Sequence, residues 1–475
     1  MLSDHSQSRR PAWTFAIVAA ALFMVVLDNL VVTTALPSIQ AELGATIQSL
    51  EWTVNAYTLS YAVLLLTGAA LGDRFGRRRM FVIGLGIFTL ASAAAALAPT
   101  TAALIAARGI QGVGAAIVTP LTLTLLADVF PPNKRGLAIG AWSGVSGLGV
   151  ALGPLVGGAV VDGISWHWIF WINVPVGLAV IPLAARRLAE SHGPARSLDL
   201  PGLGLASAGL LGIVYGIVRG AELGWTSPTV LGSLTAGGIL VVAFLVWEHR
   251  APQPMLPLRF FRSRAFSAVN GVSLAMYFGV FGSIFLLAQF FQVTQGYSPL
   301  EAGLRTLPWT GMPMIIAPIA GLLSDRIGSR PLMAIGLTLQ AGAIGWLATV
   351  SSPNVPYGEL VIPFVMAGAG MAMVFAPAAN AVLGAVRPEE AGQASGATNA
   401  IRELGGVLGI AVLATVFAHN GSYASPEAYT NGMTAAIWVG AAVLAAGALT
   451  ALLVPGRRAQ RERAVQQLAQ VEAAA

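Results

Sequence analysis

The 475-residue chain is 56% hydrophobic and only 10% charged, with a mean hydropathy of +0.74; a soluble domain carries about 25% charged residues, so a water-facing surface is excluded for most of it. No Cys is present, which excludes disulfides and thiolate metal sites, and the five His are scattered singly, so no metal cluster and no cofactor are expected. The net charge of +6 does not mark a nucleic-acid binder, because the basic residues collect in short segments between long apolar runs.

Crossing a hydrocarbon core about 30 Å thick takes about 20 mostly apolar residues. The first such run, 12–36, follows Arg9 and Arg10 and reads as an uncleaved helix rather than a signal peptide, since many similar runs stand behind it. They fall at 50–72, 79–98, 101–126, 136–160, 165–185, 200–219, 227–247, 265–292, 299–324, 331–351, 357–385, 393–418 and 430–454, making fourteen spans in all. An even number puts both termini on one side. With that side cytoplasmic, the inner segments hold all 26 basic residues except Arg108, Arg219, Arg305 and Arg402, as the positive-inside rule requires.

An internal echo groups the spans. Asp73-Arg74-Phe75-Gly76-Arg77-Arg78 lies between spans two and three, and Asp325-Arg326-Ile327-Gly328-Ser329-Arg330 lies between spans ten and eleven. The echo is in register if spans seven and eight are an insertion. The expected architecture is therefore an all-α polytopic membrane protein: a six-helix bundle at 1–190, two inserted helices and a linker at 191–260, a second six-helix bundle at 261–455, and a cytoplasmic tail at 456–475. Repeated halves with a substrate path between them are a common plan for secondary transporters.

Asp28 is the most informative residue. Counting about 1.5 Å per residue from Trp13, it lies roughly 20 Å from the cytoplasmic edge, where a charged carboxylate costs about 2.5–3.5 kcal/mol. Such a group is paired, solvated or protonated; it is either a structural hydrogen-bonding acid or a proton or cation site. The same arithmetic puts Arg108 at a similar depth in the same half, as a structural ion partner or as a group tuning a carboxylate. Gly149, Gly153 and Gly157 form one stripe on span five, suited to close helix packing, and Pro154 within it favours a kink.

Several motifs carry a resemblance. Leu27-Asp28-Asn29-Leu30-Val31-Val32-Thr33-Thr34-Ala35-Leu36-Pro37 is similar to LDxTxVNxALP, Trp52 and Tyr57 to W-x4-Y, and Leu71 to Arg79 to the loop after span two. Arg108, Gln111, Gly112 and Gly114 match RxxQGxG, and Gly149, Gly153, Pro154, Gly157 and Gly158 match GxxxGPxxGG. Trp166 to Gly177 is similar to WRWIFxINxPxG, and span thirteen offers Ser395 to Asn399 with Arg402, Gly405, Gly406 and Gly409. In order and spacing, over nearly the whole chain, these resemble the fourteen-helix drug:proton antiporter group of the major facilitator superfamily. Leu30 and Thr33 replace the usual Thr and Asn, and Ala69 the usual Gly. His167 replaces the usual Arg, which either abolishes a charge pairing on the outer face or makes it pH-dependent.

The resemblance implies the major facilitator fold, a proton-coupling role for Asp28 and Arg108, and a gating loop that latches the two halves through Asp73, Arg74, Gly76, Arg77 and Arg78, echoed at Asp325 and Arg326. It also implies that the glycine motif on span five favours antiport over symport. Asn29, Trp52, Asn55, Tyr57, Gln111, Gln289, Phe290, Phe291, Gln292, Met371, Asn380, Asn399, Arg402 and Glu403 are candidates for a mixed apolar and polar substrate cavity, with Glu403 a second intramembrane acid. The function expected is export of amphipathic drugs or similar small molecules in exchange for protons, by a monomer in the lipid of the bacterial inner membrane. The alternatives are export of one endogenous metabolite or lipid, or proton-coupled nutrient uptake. No P-loop, HExxH or GxSxG motif is present and the only lysine is Lys134, so an ion gradient is the expected energy source and no enzyme is expected.

Overall fold

The computed structural model describes residues 4–130, 132–192, 199–252, 254, 256–386 and 391–456. The expected tail from 457 onward, with Arg387 and Arg196, lies outside the described residues, as does the side chain of Asp325. The first half contains α1 (Asp4–Leu43), α2 (Ile47–Phe75), α3 (Arg77–Ala96), α4 (Thr101–Val129), α5 (Pro132–Gly163), a single turn α6 (Trp168–Trp171) and α7 (Asn173–Arg187). Then come α8 (Leu200–Leu223), α9 (Pro228–Arg250), α10 (Arg264–Gln289), α11 (Pro299–Thr310), α12 (Met312–Ile327), α13 (Ser329–Val350), α14 (Tyr357–Leu383), α15 (Ala391–Asn420) and α16 (Pro426–Ala451).

Among the described residues thirteen helical spans are long and apolar enough to cross a membrane, and a bent α2 makes the fourteenth. The protein is a multi-pass membrane protein. Three expected spans are interrupted. Span six breaks at Ile172 between α6 and α7, and span ten breaks at Gly311 between α11 and α12, where Pro308, Pro313 and Pro318 each remove a backbone donor. The third, α2, turns by 51° between Ile47–Leu65 and Thr67–Phe75. The bend adjoins Gly68, where a Cβ would overlap the Ala116 backbone of α4, so the absence of a side chain lets the two helices nearly touch.

Local chemistry sets the helix ends. Thr46, Thr100, Asp199 and Ser425 cap α2, α4, α8 and α16 by accepting from the third residue on, and Ser298 with Glu301 forms a reciprocal capping box on α11. Gly76 (φ 104°) and Gly328 (φ 90°) end α2 and α12 in a backbone region disfavoured for other residues. The sequence echo is thus a structural one. These two turns mark one end of the molecule, called here the Gly76 end; Gly44 and Gly296 mark the far end.

Within the first half α2 packs on α4, α3 on α4 and α1 on α5; within the second, α10 packs on α15 and α13 on both α14 and α16. The halves meet through α5 against α11 and α2 against α15. Their apolar cores reveal where. One cluster joins residues of the second half to Leu27, Val31, Leu36, Leu50, Val54, Leu104 and Phe170, all from the middle or far part of the first. At the Gly76 end the first half has a core of its own, built from Ile17, Met24, Phe81, Leu121 and Val180. The two halves are fused at the far end and separately packed at the Gly76 end. The inserted α8 and α9 pack on each other, and Val214 and Val218 of α8 meet Leu59, Val63, Val407 and Ala411 along the seam of α2 and α15.

Candidate functional site

Asp28 sits in the middle of α1 with its side chain fully enclosed. Arg108, on α4, donates from Nη1 to Asp28 Oδ2 at 2.6 Å. Gln111, one turn on, donates from Nε2 to Oδ1 at 2.9 Å, and Asn173, the first residue of α7, donates from Nδ2 to the same oxygen at 2.7 Å. One carboxylate therefore gathers donors from two other helices. Arg108 in turn donates to Gln111 Oε1 at 2.7 Å and to the Thr53 carbonyl at 3.3 Å, while its guanidinium carbon lies 4.2 Å from the Tyr57 ring centre. Asn173 also reaches Ser92 Oγ at 3.0 Å, and Ser92 donates to the Phe170 carbonyl at 2.9 Å. Gly112 makes the approach possible, since a Cβ there would overlap Ser60 Oγ and the Tyr57 carbonyl.

The glycines of α5 face two partners. Side chains on Gly149, Gly153 and Gly157 would collide with Val26, Leu30 and Thr34 of α1, inside the first half. Gly158 is different: a Cβ there would overlap the Pro299 backbone of α11, and a Cβ on Gly303 of α11 would overlap the Pro154 carbonyl. Backbone meets backbone across the boundary between the halves. Beside it, Gln292 donates to the Thr34 carbonyl at 2.9 Å, and an apolar cleft is lined by Thr33, Pro154, Leu287, Trp309 and Phe364.

At the Gly76 end, Arg77 donates to Asp73 at 2.9 and 3.0 Å and to both oxygens of Asp128 at 2.8 Å. Ser191 holds Asp128 from the other side at 2.6 Å, and Glu190 accepts from the Arg78 backbone at 2.9 Å. Arg74 is exposed, stacked 5.1 Å from Phe75. Among the described residues these bonds end on α4 and on the segment after α7, so in this arrangement the loop is held by carboxylates of its own half. In the echo, Ser324 and Ser329 share a hydrogen bond at 2.9 Å, and Arg326 is exposed.

The proposed cavity residues do not form one group. Tyr57 and Gln111 belong to the Asp28 cluster. Gln289 donates to the Phe285 carbonyl at 2.8 Å and accepts from Tyr423, Phe290, Phe291 and Met371 are core, Trp52 packs on the α8 seam, and Asn380 is exposed. Asn55 is fully buried with neither amide atom partnered, and Asn29 Oδ1 is also unpartnered. On α15, Arg402 donates to Asn399 at 3.3 Å, with Nε and Nη2 open. Arg402 and Glu403 form no ion pair, as adjacent helical residues diverge by about 100°.

A sequence profile of the Major Facilitator Superfamily matches residues 18–410 and, overlapping, 272–472. The chain belongs to this superfamily. The chain is 37% identical to the cephamycin export protein of Amycolatopsis lactamdurans, over 94% of its own length and 93% of the relative's. It is 36% identical to the tetracenomycin C resistance and export protein of Streptomyces glaucescens, over 86% and 76%, and 35% identical to the multidrug resistance protein Stp of Mycobacterium tuberculosis, again over 86% and 76%. Among solved structures a POT family transporter aligns at a TM-score of 0.70 and 14% identity, covering 93% of this chain and 95% of that one, and a bacterial homolog of the human lysosomal transporter Spinster at 0.65 and 16%, covering 94% and 97%. These two share the fold.

In this facilitator the residues that sequence reasoning missed are partners rather than motif centres. Asn173, Asp128 and Glu190 each complete a group whose other members stood out. Asn173 falls within the Trp166 to Gly177 motif, whose pattern alone gives it no role. His167 retains an acidic neighbour at the far end, 3.6 Å from Glu42, in a pair that is ionic only when the imidazole is protonated.

Proposed function

We propose that this facilitator is a proton-coupled antiporter that exports amphipathic small molecules by alternating access, as a monomer in the bacterial cytoplasmic membrane with both termini inside. The Gly76 end is then cytoplasmic and the far end faces outward. Two bundles, 1–190 and 261–455, rock about α5–α11 and α2–α15, with 191–260 as an insertion. The observation that carries the reading is the enclosed Asp28 carboxylate with its three side-chain donors. Taking up a proton removes its charge, deprives Arg108 of its ionic partner and weakens charge-assisted bonds that tie α1 to α4 and α7. A switch of that kind links one proton to one rearrangement of the bundle.

The relatives support export rather than uptake, since those named above are resistance or export proteins. Dye transport into inverted membrane vesicles under an imposed pH gradient tests the scheme. Wild type accumulates dye only while the gradient stands, and Asp28→Asn and Arg108→Ala lose that dependence. Gradient-independent transport by wild type, or full activity in Asp28→Asn, overturns it.

A further inference from the structure

One buried acid plays no part in the cluster above. Glu51 lies one turn inside the far end of α2 and is 2% exposed, with Oε2 lacking any hydrogen-bond partner. Among the described residues it has no ion pair. It stands where the halves are fused: Leu50 and Val54 beside it belong to the shared core, and it is within electrostatic reach of Tyr423, in the loop between α15 and α16 of the second half. Tyr423 spends its hydroxyl proton on Gln289 of α10. The other charged groups on helices packed against α2 have neighbours of their own; Arg402 of α15 donates to Asn399 at 3.3 Å and lies 6.0 Å from the Tyr277 ring. Arg108 holds Asp28, Glu42 accepts from Trp166 and faces His167, Arg219 of α8 lies 5.8 Å from the Tyr215 ring, His419 of α15 is exposed, and Glu403 stands near Tyr61 and Tyr277.

We propose that Glu51 is a second proton-binding site, and that its proton holds the far end closed. Burying a carboxylate beside no cation, with an oxygen left without a donor, is costly, so the closed seam admits Glu51 as the neutral acid. Parting the halves there hydrates the group and lets it ionise. The proton enters from, and returns to, the water on the far side, so Glu51 moves none across the membrane. It sets how readily the far end stays shut: low outside pH favours closure and high outside pH favours opening. This inference adopts the orientation proposed above only in naming the outside; the linkage between closure and protonation does not need it.

The native chain has no cysteine, so Ala41→Cys and Ala424→Cys, both at exposed far-end positions on opposite halves, can carry a spin-label pair in lipid nanodiscs. Distances are read from pH 4 to 9 in an Asp28→Asn background, which silences the other site. The ratio of closed to open populations should fall with rising pH at a limiting slope of about tenfold per pH unit, the signature of one linked proton. Adding Glu51→Gln, the same shape without the proton, should flatten the curve at its closed value, while Glu51→Asp should keep a slope. An unchanged slope in Glu51→Gln, or no pH dependence before it is introduced, overturns the proposal. Transport is not measured, so failure of the export scheme alone leaves this result readable.

Discussion

Arg108 Nη1 lies 2.6 Å from Asp28 Oδ2, and neither side chain has any exposed surface. Removing one partner of such a pair strands the other charge at a cost of about 3–5 kcal/mol, whereas removing both is far milder. Arg108→Ala should therefore lower thermal stability strongly in detergent, and Asp28→Asn combined with Arg108→Ala should recover most of the loss. Additive losses in that double-mutant cycle would show that the two groups are not coupled.

Gly158 and Pro299 set up a second test. A Cβ on Gly158 would overlap backbone atoms of α11 in the other half, where nothing flexible can yield. Gly158→Leu should fold, since the α1 face of α5 is untouched, but it should prevent far-end closure and reduce transport by tenfold or more. Gly144→Leu, at a position open to space, is the matched control. Labelled pairs across the far end would report the missing closed population directly.

Much of this was legible because membrane helices advertise themselves. Asp28, Arg108 and the Asp73 and Asp325 turns are charges or glycines in places where hydrocarbon and helix geometry tolerate few. The span breaks were less visible, since Pro308, Pro313 and Pro318 sit inside an otherwise continuous apolar run. Asn173 and Asp128 are ordinary residues made important by what lies opposite, 145 positions from Asp28 and 51 from Arg77. The cavity candidates share residue types, and type alone says nothing about helix face. Trp52 and Tyr57 share α2, yet one packs on α8 and the other on Arg108.

At the Gly76 end, Arg77 is shared between Asp73 and Asp128, with side-chain exposures of 20% and 33% for the two acids. Partly solvated pairs contribute about 1 kcal/mol or less each to stability. Asp128→Asn should accordingly leave the melting temperature nearly unchanged. It should instead free the loop after α2 and slow turnover several-fold, with the equilibrium dissociation constant for a transported dye unaltered. A weakened dye affinity at normal turnover would place Asp128 in binding rather than in switching.

Asn173 offers the finest adjustment of the proposed coupling site. Its amide donates at 2.7 Å to Asp28 Oδ1 and at 3.0 Å to Ser92 Oγ, so it stabilises the ionised carboxylate while tying α7 to α1 and α3. Asn173→Leu removes one donor to the charged form and leaves the neutral form less affected. The pH profile of gradient-driven transport should therefore move to the alkaline side. Stability should fall by about 1–3 kcal/mol, the usual cost of leaving a buried polar group short of a partner. Asn173→Gln, which keeps an amide but displaces it, should show the packing loss with a smaller pH shift. A profile that stays in place while stability drops would reduce Asn173 to a structural tie between helices, because only a donor acting on the charged form of Asp28 can move the pH at which transport switches.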